Sequence, residues 1–474
     1  MRPLFSILFT FLAFSVIAQT GYKIDCKING LKDTTAYLGY YYQENTRVLD
    51  TAKVNSQGMF TFTGSTVLVQ GMYFVILDKT IIFNLVVGSD QNFSLETSTD
   101  DYIKKMVVKG DDDNRLFFEN MVYNAAWDEE ARPLAALMKD STASKSQKAT
   151  AQESLTKINE KVMAHRQAMI DKYPSTFTVR MMLVNKPIVI PDPPKKADGT
   201  IDSTFQLRYY RQHFFDNFNL GDEAMLRMPK VFYWEKVKEY LTRLHVQHPD
   251  SITRAIEGLV AVAKNNKNTY KYLVWKCIGE YQQPEIMGLD EVYVNMVDKY
   301  ITTGEMAYWL DDKTVKNLTD HASKVRLAMI GRTAPNLIML NEDLQPRSLY
   351  DLKNKYSIVF FFKPTCGHCR EEAPKLVEFY NANKKNLGLE IFAVSTDTSM
   401  KEMKAFIHEM KTPWITVNGP RSYINTHFSN LYFAEMTPTL YILDERKKII
   451  ARKLPVENLE SFFEHYEKML RRKG

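Results

Sequence analysis

Between Tyr22 and about Lys109 the chain reads as short strands broken by turn residues. Lys23-Ile24-Asp25-Cys26-Lys27-Ile28 alternates polar with apolar, putting every second side chain on one face, and Asn92 to Glu96 does the same. Met72 to Leu77 and Ile81 to Val87 are apolar runs, while Val54 to Phe62 reads as two strands around a polar hairpin turn ending at Gly58. This pattern predicts a small β-sandwich-like domain over residues 20–109.

At Asp111-Asp112-Asp113-Asn114 the period changes. Carboxylates followed by Leu116-Phe117-Phe118 mark a helix N-terminus, where unpaired N–H groups and the helix dipole favour negative charge. The acidic residues lack the spacing of a calcium loop. From there to residue 329 helical periodicity dominates, clearest in Ala151–Tyr173, Phe205–Phe218, Trp234–His245, Ser251–Ala263, Tyr270–Tyr281 and Leu289–Tyr300. The proline-rich stretch from Pro187 to Gly199 must be an irregular loop. Residues 110–329 are therefore expected to be all-α.

After Ile330-Gly331-Arg332 strands and helices alternate. Tyr356–Phe362 and Leu389–Val394 are continuous apolar strands, with helices expected over Glu371–Asn386, Met400–Met410 and Val456–Arg472. Short strands are expected at Leu337–Leu340 and Trp414–Val417, and a hairpin from Thr439–Leu443 and Lys448–Lys453. Apolar strands between helices imply an α/β sheet covered on both faces over residues 333–474.

Composition narrows the function classes. With 62 basic against 56 acidic residues in 474, the net charge is only +6, with no basic stripe to suggest nucleic-acid binding. Four cysteines are too few for a disulfide scaffold. The N-terminus begins Met1-Arg2-Pro3, continues with an apolar run to Ile17, and carries Val16 and Ala18 at the −3 and −1 positions of a cleavage site. That describes a signal peptide over residues 1–18, too short to span a bilayer. The mature chain is expected in a periplasm or cell envelope, without a membrane span, where cysteines meet an oxidising setting.

The chemistry concentrates at Cys366-Gly367-His368-Cys369, which follows the apolar strand ending at Phe362. A cysteine at a helix N-terminus has its thiolate stabilised by free N–H groups, and a second cysteine one turn on can resolve a mixed disulfide. Zinc would need two further ligands at suitable spacing, and Cys26 and Cys277 come in no such pair, so redox work is the stronger reading and no metal is expected. The imidazole of His368 is a candidate for tuning the pKa of Cys366. Cys26 and Cys277 are read as small buried bystanders. His245 and His248 are read as a surface pair, and Tyr40-Tyr41-Tyr42 with the aromatics from Tyr209 to Phe218 as packing residues.

These residues resemble the thioredoxin superfamily, and within it the TlpA/ResA-like periplasmic thiol–disulfide oxidoreductases. The likeness rests on Ala334-Pro335, the Cys366–Cys369 motif, Glu372 with Pro374 behind it, and Met436-Thr437-Pro438-Thr439 before a strand. It implies a cis Pro438 packed against the cysteines and a Thr437 that offers backbone groups to a bound peptide. It also implies that Glu372 assists proton transfer at Cys369, and i,i+3 spacing puts those two on one helix face. Thr365 stands where a tryptophan often precedes the first cysteine, Lys363-Pro364 is unusual, and Phe360 replaces the buried aspartate of cytosolic thioredoxin. Upstream, Tyr209–Phe218 and Met287–Tyr293 are similar to envelope proteins in which a small β-domain and a helical domain, both of unknown function, precede a TlpA-like domain.

The expected function is an envelope thiol–disulfide oxidoreductase with protein thiols or disulfides as substrates and a membrane or periplasmic reductant. It needs no cofactor beyond the redox-active Cys366–Cys369 pair. The resemblance makes cytochrome c maturation or general disulfide repair plausible roles. Two alternatives are a peroxiredoxin-like peroxidase, against which the tight cysteine spacing argues, and a non-enzymatic binding protein with a thioredoxin-like docking module.

Overall fold

The computed structural model describes residues 21–184, 186–229, 232–422, 427–434 and 436–473. The expected signal peptide, 1–18, lies outside the described residues. The chain forms two compact units, one running to Tyr240 and including Val262–Thr269, the other made of Leu241–Ala261 and everything from Tyr270 onward. The helical stretch 110–329 therefore contributes to both.

In the first unit, β1 (Tyr22–Asn29), β2 (Thr35–Tyr42), β3 (Asn45–Lys53), β4 (Met59–Gly64), β5 (Gly71–Leu77), β6 (Thr80–Val87), β7 (Asn92–Ser98) and β8 (Val107–Lys109) form two four-stranded sheets. Their orders are β4-β1-β7-β8 and β3-β2-β5-β6. The alternating side chains of β1 point Ile24 and Cys26 into a core shared with Leu38, Val75 and Phe83 from the other sheet. This is the sandwich the alternation predicts. The expected hairpin at Val54–Phe62 is different. Its turn closes locally, with Gly58 N–H donating to the Asn55 carbonyl at 3.0 Å and Gly58 at φ 78°. The flanking strands do not pair, because β3 pairs with β2 and β4 with β1, so the turn carries the chain from one sheet to the other.

The acidic cluster starts α1 (Asp112–Lys139). Asp111 caps the helix by accepting from the Asp113 and Asn114 N–H groups. The buried Asn114 side chain accepts from Val86 N–H and donates to Val86 C=O, both at 2.7 Å, tying the helix to β6. Asp113 accepts from Thr178 N–H at 2.7 Å, which ties α1 to the later helix at Phe177–Val184. Burial pushes the Asp111 carboxyl up to about 6. The aromatic runs pack inward as expected. Tyr41 meets Phe74 edge-on at 4.8 Å, and Arg227 lies over Tyr40 at 4.7 Å. Helical structure expected to Phe218 stops at His213, and the remaining aromatics turn to bury Phe214 and Phe218 against Tyr240 and Tyr233.

The second unit holds a seven-stranded sheet. Taking α2 (Lys145–Lys172), α3 (Phe177–Val184), α4 (Phe205–His213), α5 (Phe232–Arg243), α6 (Pro249–Ala263), α7 (Lys267–Gln282), α8 (Asp290–Met296) and α9 (Asp312–Leu327) as the helices before it, the sheet begins with β9 (Ile338–Asn341) and β10 (Pro346–Ser348). It continues through β11 (Tyr356–Phe362), β12 (Leu389–Ser395), β13 (Ile415–Ser422), β14 (Thr439–Leu443) and β15 (Ile449–Arg452), in the order β10-β9-β13-β12-β11-β14-β15. All of β11 is buried, parallel to β12 and antiparallel to β14. Ile358, Phe360 and Phe362 face α10 (Gly367–Leu387), α11 (Met400–Met410) and α12 (Leu459–Lys473) in one core. Phe361 faces the other way, against Phe428 and Tyr432. The chain leaves α10 through Gly388, whose φ of 60° suits a left-handed helix cap.

Candidate active site

An apolar strand that ends in the middle of a sheet presents whatever follows it at the sheet's edge. Here β11 ends at Phe362, Lys363-Pro364-Thr365 makes the turn, and Cys366 is the N-cap of α10. Cys366 N–H donates to the Lys363 carbonyl at 3.0 Å, and the Cys366 carbonyl accepts from Arg370 N–H at 3.1 Å, so the first helical turn is closed on the cysteine itself.

The two cysteines occupy unlike settings. Cys366 is half-buried, and its thiol is lowered from the ordinary value, first by the backbone N–H of Cys369 and further by the Cys369 thiol, the Thr437 side chain and the His368 N–H. Cys369 is fully buried, and burial pushes it up to about 11 even though Lys363 N–H donates to its sulfur at 3.4 Å. Both thiols are free, as are the buried Cys26 and Cys277. Burial raises the thiols of those last two, which suits packing better than reaction.

The peptide bond between Thr437 and Pro438 is cis, as the resemblance implied. The Cys366 thiol donates to the Thr437 carbonyl at 3.6 Å. The His368 imidazole is 84% exposed with Nδ1 3.3 Å from Glu371, and the His368 backbone N–H is among the groups that lower the Cys366 thiol. Glu372, 22% exposed, accepts from Lys375 at 2.6 Å.

His368, Glu372 and Pro438 line a pocket of about 390 Å³ together with Phe433, Leu454 and Gln283. Gln283, Phe433 and Leu454 carry no motif that the sequence could have flagged, since they converge only through the fold. Among the described residues no group of three or more His, Cys, Asp and Glu side chains could hold a metal, and no helix is long and apolar enough to cross a membrane. His248 is exposed beside Asp250.

Residues 330–452 match the AhpC/TSA family, residues 22–117 a domain of unknown function (DUF4369), and residues 139–324 another (DUF5106). A thiol–disulfide oxidoreductase ResA of Bacillus cereus is 25% identical over 142 residues, which is 30% of this chain and 78% of that protein. Human nucleoredoxin is 30% identical over 122 residues, 26% of this chain and 28% of its own. A crystal structure of a domain of a possible thiol–disulfide isomerase from Cytophaga hutchinsonii is 38% identical, covering 30% of this chain and 96% of that domain, with a TM-score of 0.29. The chain is thus a thioredoxin-like thiol–disulfide oxidoreductase related to ResA, with an AhpC/TSA-family domain at its C-terminal end preceded by DUF4369 and DUF5106 domains.

Proposed function

We infer that the protein works in the cell envelope, exchanging disulfides with protein substrates through Cys366 and Cys369. The observation that carries this reading is the asymmetry of the pair: a half-exposed thiol with lowered pKa one helical turn from a buried one held near 11.

In the reducing direction, the Cys366 thiolate attacks one sulfur of a substrate disulfide. A mixed disulfide forms as the substrate bond breaks, and one substrate thiolate leaves. Cys369, once deprotonated, attacks the Cys366 sulfur, which forms the Cys366–Cys369 disulfide and releases the second substrate thiolate. The protein gives up two electrons, which a membrane or periplasmic dithiol reductant must return. The oxidising direction is the same sequence reversed. A thiol held up by burial needs a base, and Glu372, on the same face of α10 as Cys369, is the residue that takes that proton. Thr437 and Pro438 hold the substrate backbone beside Cys366. Cytochrome c maturation is one role this chemistry serves, since it too consumes reduced cysteines.

The test is trapping. Cys369→Ser protein should accumulate a mixed disulfide with a substrate protein, and Cys366→Ser protein should form none and show no turnover. Glu372→Gln should slow resolution by roughly a hundredfold, in line with lost acid–base assistance. Full exchange by Cys366→Ser protein would overturn the reading. Peroxide consumption that survives loss of Cys369 would instead favour a peroxidase, a cysteine pair that never cycles a docking module.

A further inference from the structure

One wall of the pocket lined by His368, Glu372 and Pro438 comes from outside the thioredoxin-like domain. His368 and Glu372 on α10, Phe433 and Met436 before the proline turn, and Leu454 after β15 belong to that domain; Gln283, just past the end of α7, belongs to the helical region. Two contacts hold its loop in place. The Met287 sulfur accepts the Arg452 N–H at 3.3 Å, and Asp290 at the start of α8 pairs with the Arg452 guanidinium. The two side chains are only 8% and 2% exposed, so each charge depends on the other for its compensation. Arg452 directly precedes Lys453 and Leu454, which also line the pocket. A single anchor therefore sets the register of both walls.

The lining restricts what fits. At about 390 Å³ the cavity sits at the small end of ligand pockets, which run from roughly 300 to 1,000 Å³, so it suits a side chain with its flanking backbone. Phe433, Met436 and Leu454 make the surface apolar, and Met436 is 63% exposed, so an apolar side chain covering it would leave water on both sides. The charged residues of the lining have partners of their own: Glu372 accepts from Lys375, and the Lys453 ammonium lies 4.7 Å over the ring of Phe433, itself part of the lining. The Gln283 amide can both donate and accept, as a peptide backbone requires.

We propose that the loop after α7 is a specificity-determining part of the site, through Gln283, and that the pocket selects protein disulfides flanked by a large apolar side chain. The inference rests on Cys366 being the reacting thiol. The Cys366 thiol lies 3.6 Å from the Thr437 carbonyl, and the next residue, Pro438, lines the pocket, so the occupant we assign to it is the stretch of substrate next to the disulfide.

The test uses the full reduced chain and two disulfide-bonded peptides differing only beside the cysteine, Phe in one and Asp in the other, with glutathione disulfide as the small reference. The wild-type protein should be oxidised about tenfold faster by the Phe peptide, the discrimination an apolar pocket can give. Gln283→Trp, which fills the pocket, should bring the two rates within about threefold of each other. Asp290→Asn, which leaves the lining residues in place but frees the loop, should move the ratio the same way. Should Gln283→Trp fail to fold, Gln283→Ala carries the same expectation. Equal rates in the wild type, or an undiminished preference in the Gln283 variants, would overturn the inference while leaving Cys366 as the reacting thiol. Failure of the wild type to react with glutathione disulfide would instead remove the assignment of Cys366, and this inference with it.

Discussion

The Cys366 thiol and the Thr437 carbonyl lie 3.6 Å apart although 71 residues separate them in the chain. The contact brings the cis peptide before Pro438 against the first sulfur, and the Thr437 side chain lowers the thiols of both Cys366 and Cys369. One residue thus acts on the pair from the bend before β14, while α10 acts on it through backbone N–H groups.

Replacing Thr437 by Val removes the hydroxyl and keeps the shape and the carbonyl. The pH at which Cys366 is half-alkylated by iodoacetamide should rise, since a donor that lowers the thiol is gone. An unchanged midpoint would mean the helix N-terminus alone sets the thiolate.

His368 separates ring from backbone. Its imidazole faces Glu371, so His368→Ala should leave the Cys366 alkylation midpoint within about half a pH unit of wild type. His368→Pro deletes the N–H that helps lower Cys366, at a first-turn position where a helix tolerates proline, and should raise the midpoint further than alanine does. A larger shift for alanine than for proline would restore the imidazole as the tuning group.

Cys369 gives the reduced protein a pH signature. Its thiol is raised in the folded state from the ordinary 9.0 to about 11, so the unfolded chain loses this proton first as pH rises. The stability it contributes is complete below pH 9 and is lost as pH climbs through 11. Thermal melts of the reduced protein should fall more steeply between pH 9 and 11 than those of Cys369→Ala.

In the first unit, Asn114→Ala would strand both the N–H and the C=O of Val86 in the core. At about 1–3 kcal/mol for each unsatisfied group, the loss should be roughly 2–6 kcal/mol in denaturant unfolding. A loss below about 1 kcal/mol would show that water reaches Val86 when the side chain is removed.

Periodicity located most elements within a few residues, because a strand or helix with one wet face writes its repeat into the chain. The apolar run of β11, the N-terminal carboxylates of α1 and the limits of α11 were all legible for that reason. The turn at Gly58 was legible as a turn but not as a crossing between sheets, since turn chemistry is local and strand pairing is not. The end of α4 at His213 was missed because burial of Phe214 and Phe218 outweighs continued helical hydrogen bonding, and that burial depends on Tyr233 and Tyr240 further along.

By itself the sequence determined the chemistry available: two cysteines one helical turn apart after a buried strand, a carboxylate three residues on, and a proline before another strand. Their spacing is local, and local geometry follows from the chain. The tertiary structure decided how the two thiols differ, that the His368 ring lies exposed beside Glu371, and that Gln283 joins the lining of the pocket. Burial and hydrogen bonding act through space, between groups whose distance along the chain says nothing of their distance in the fold.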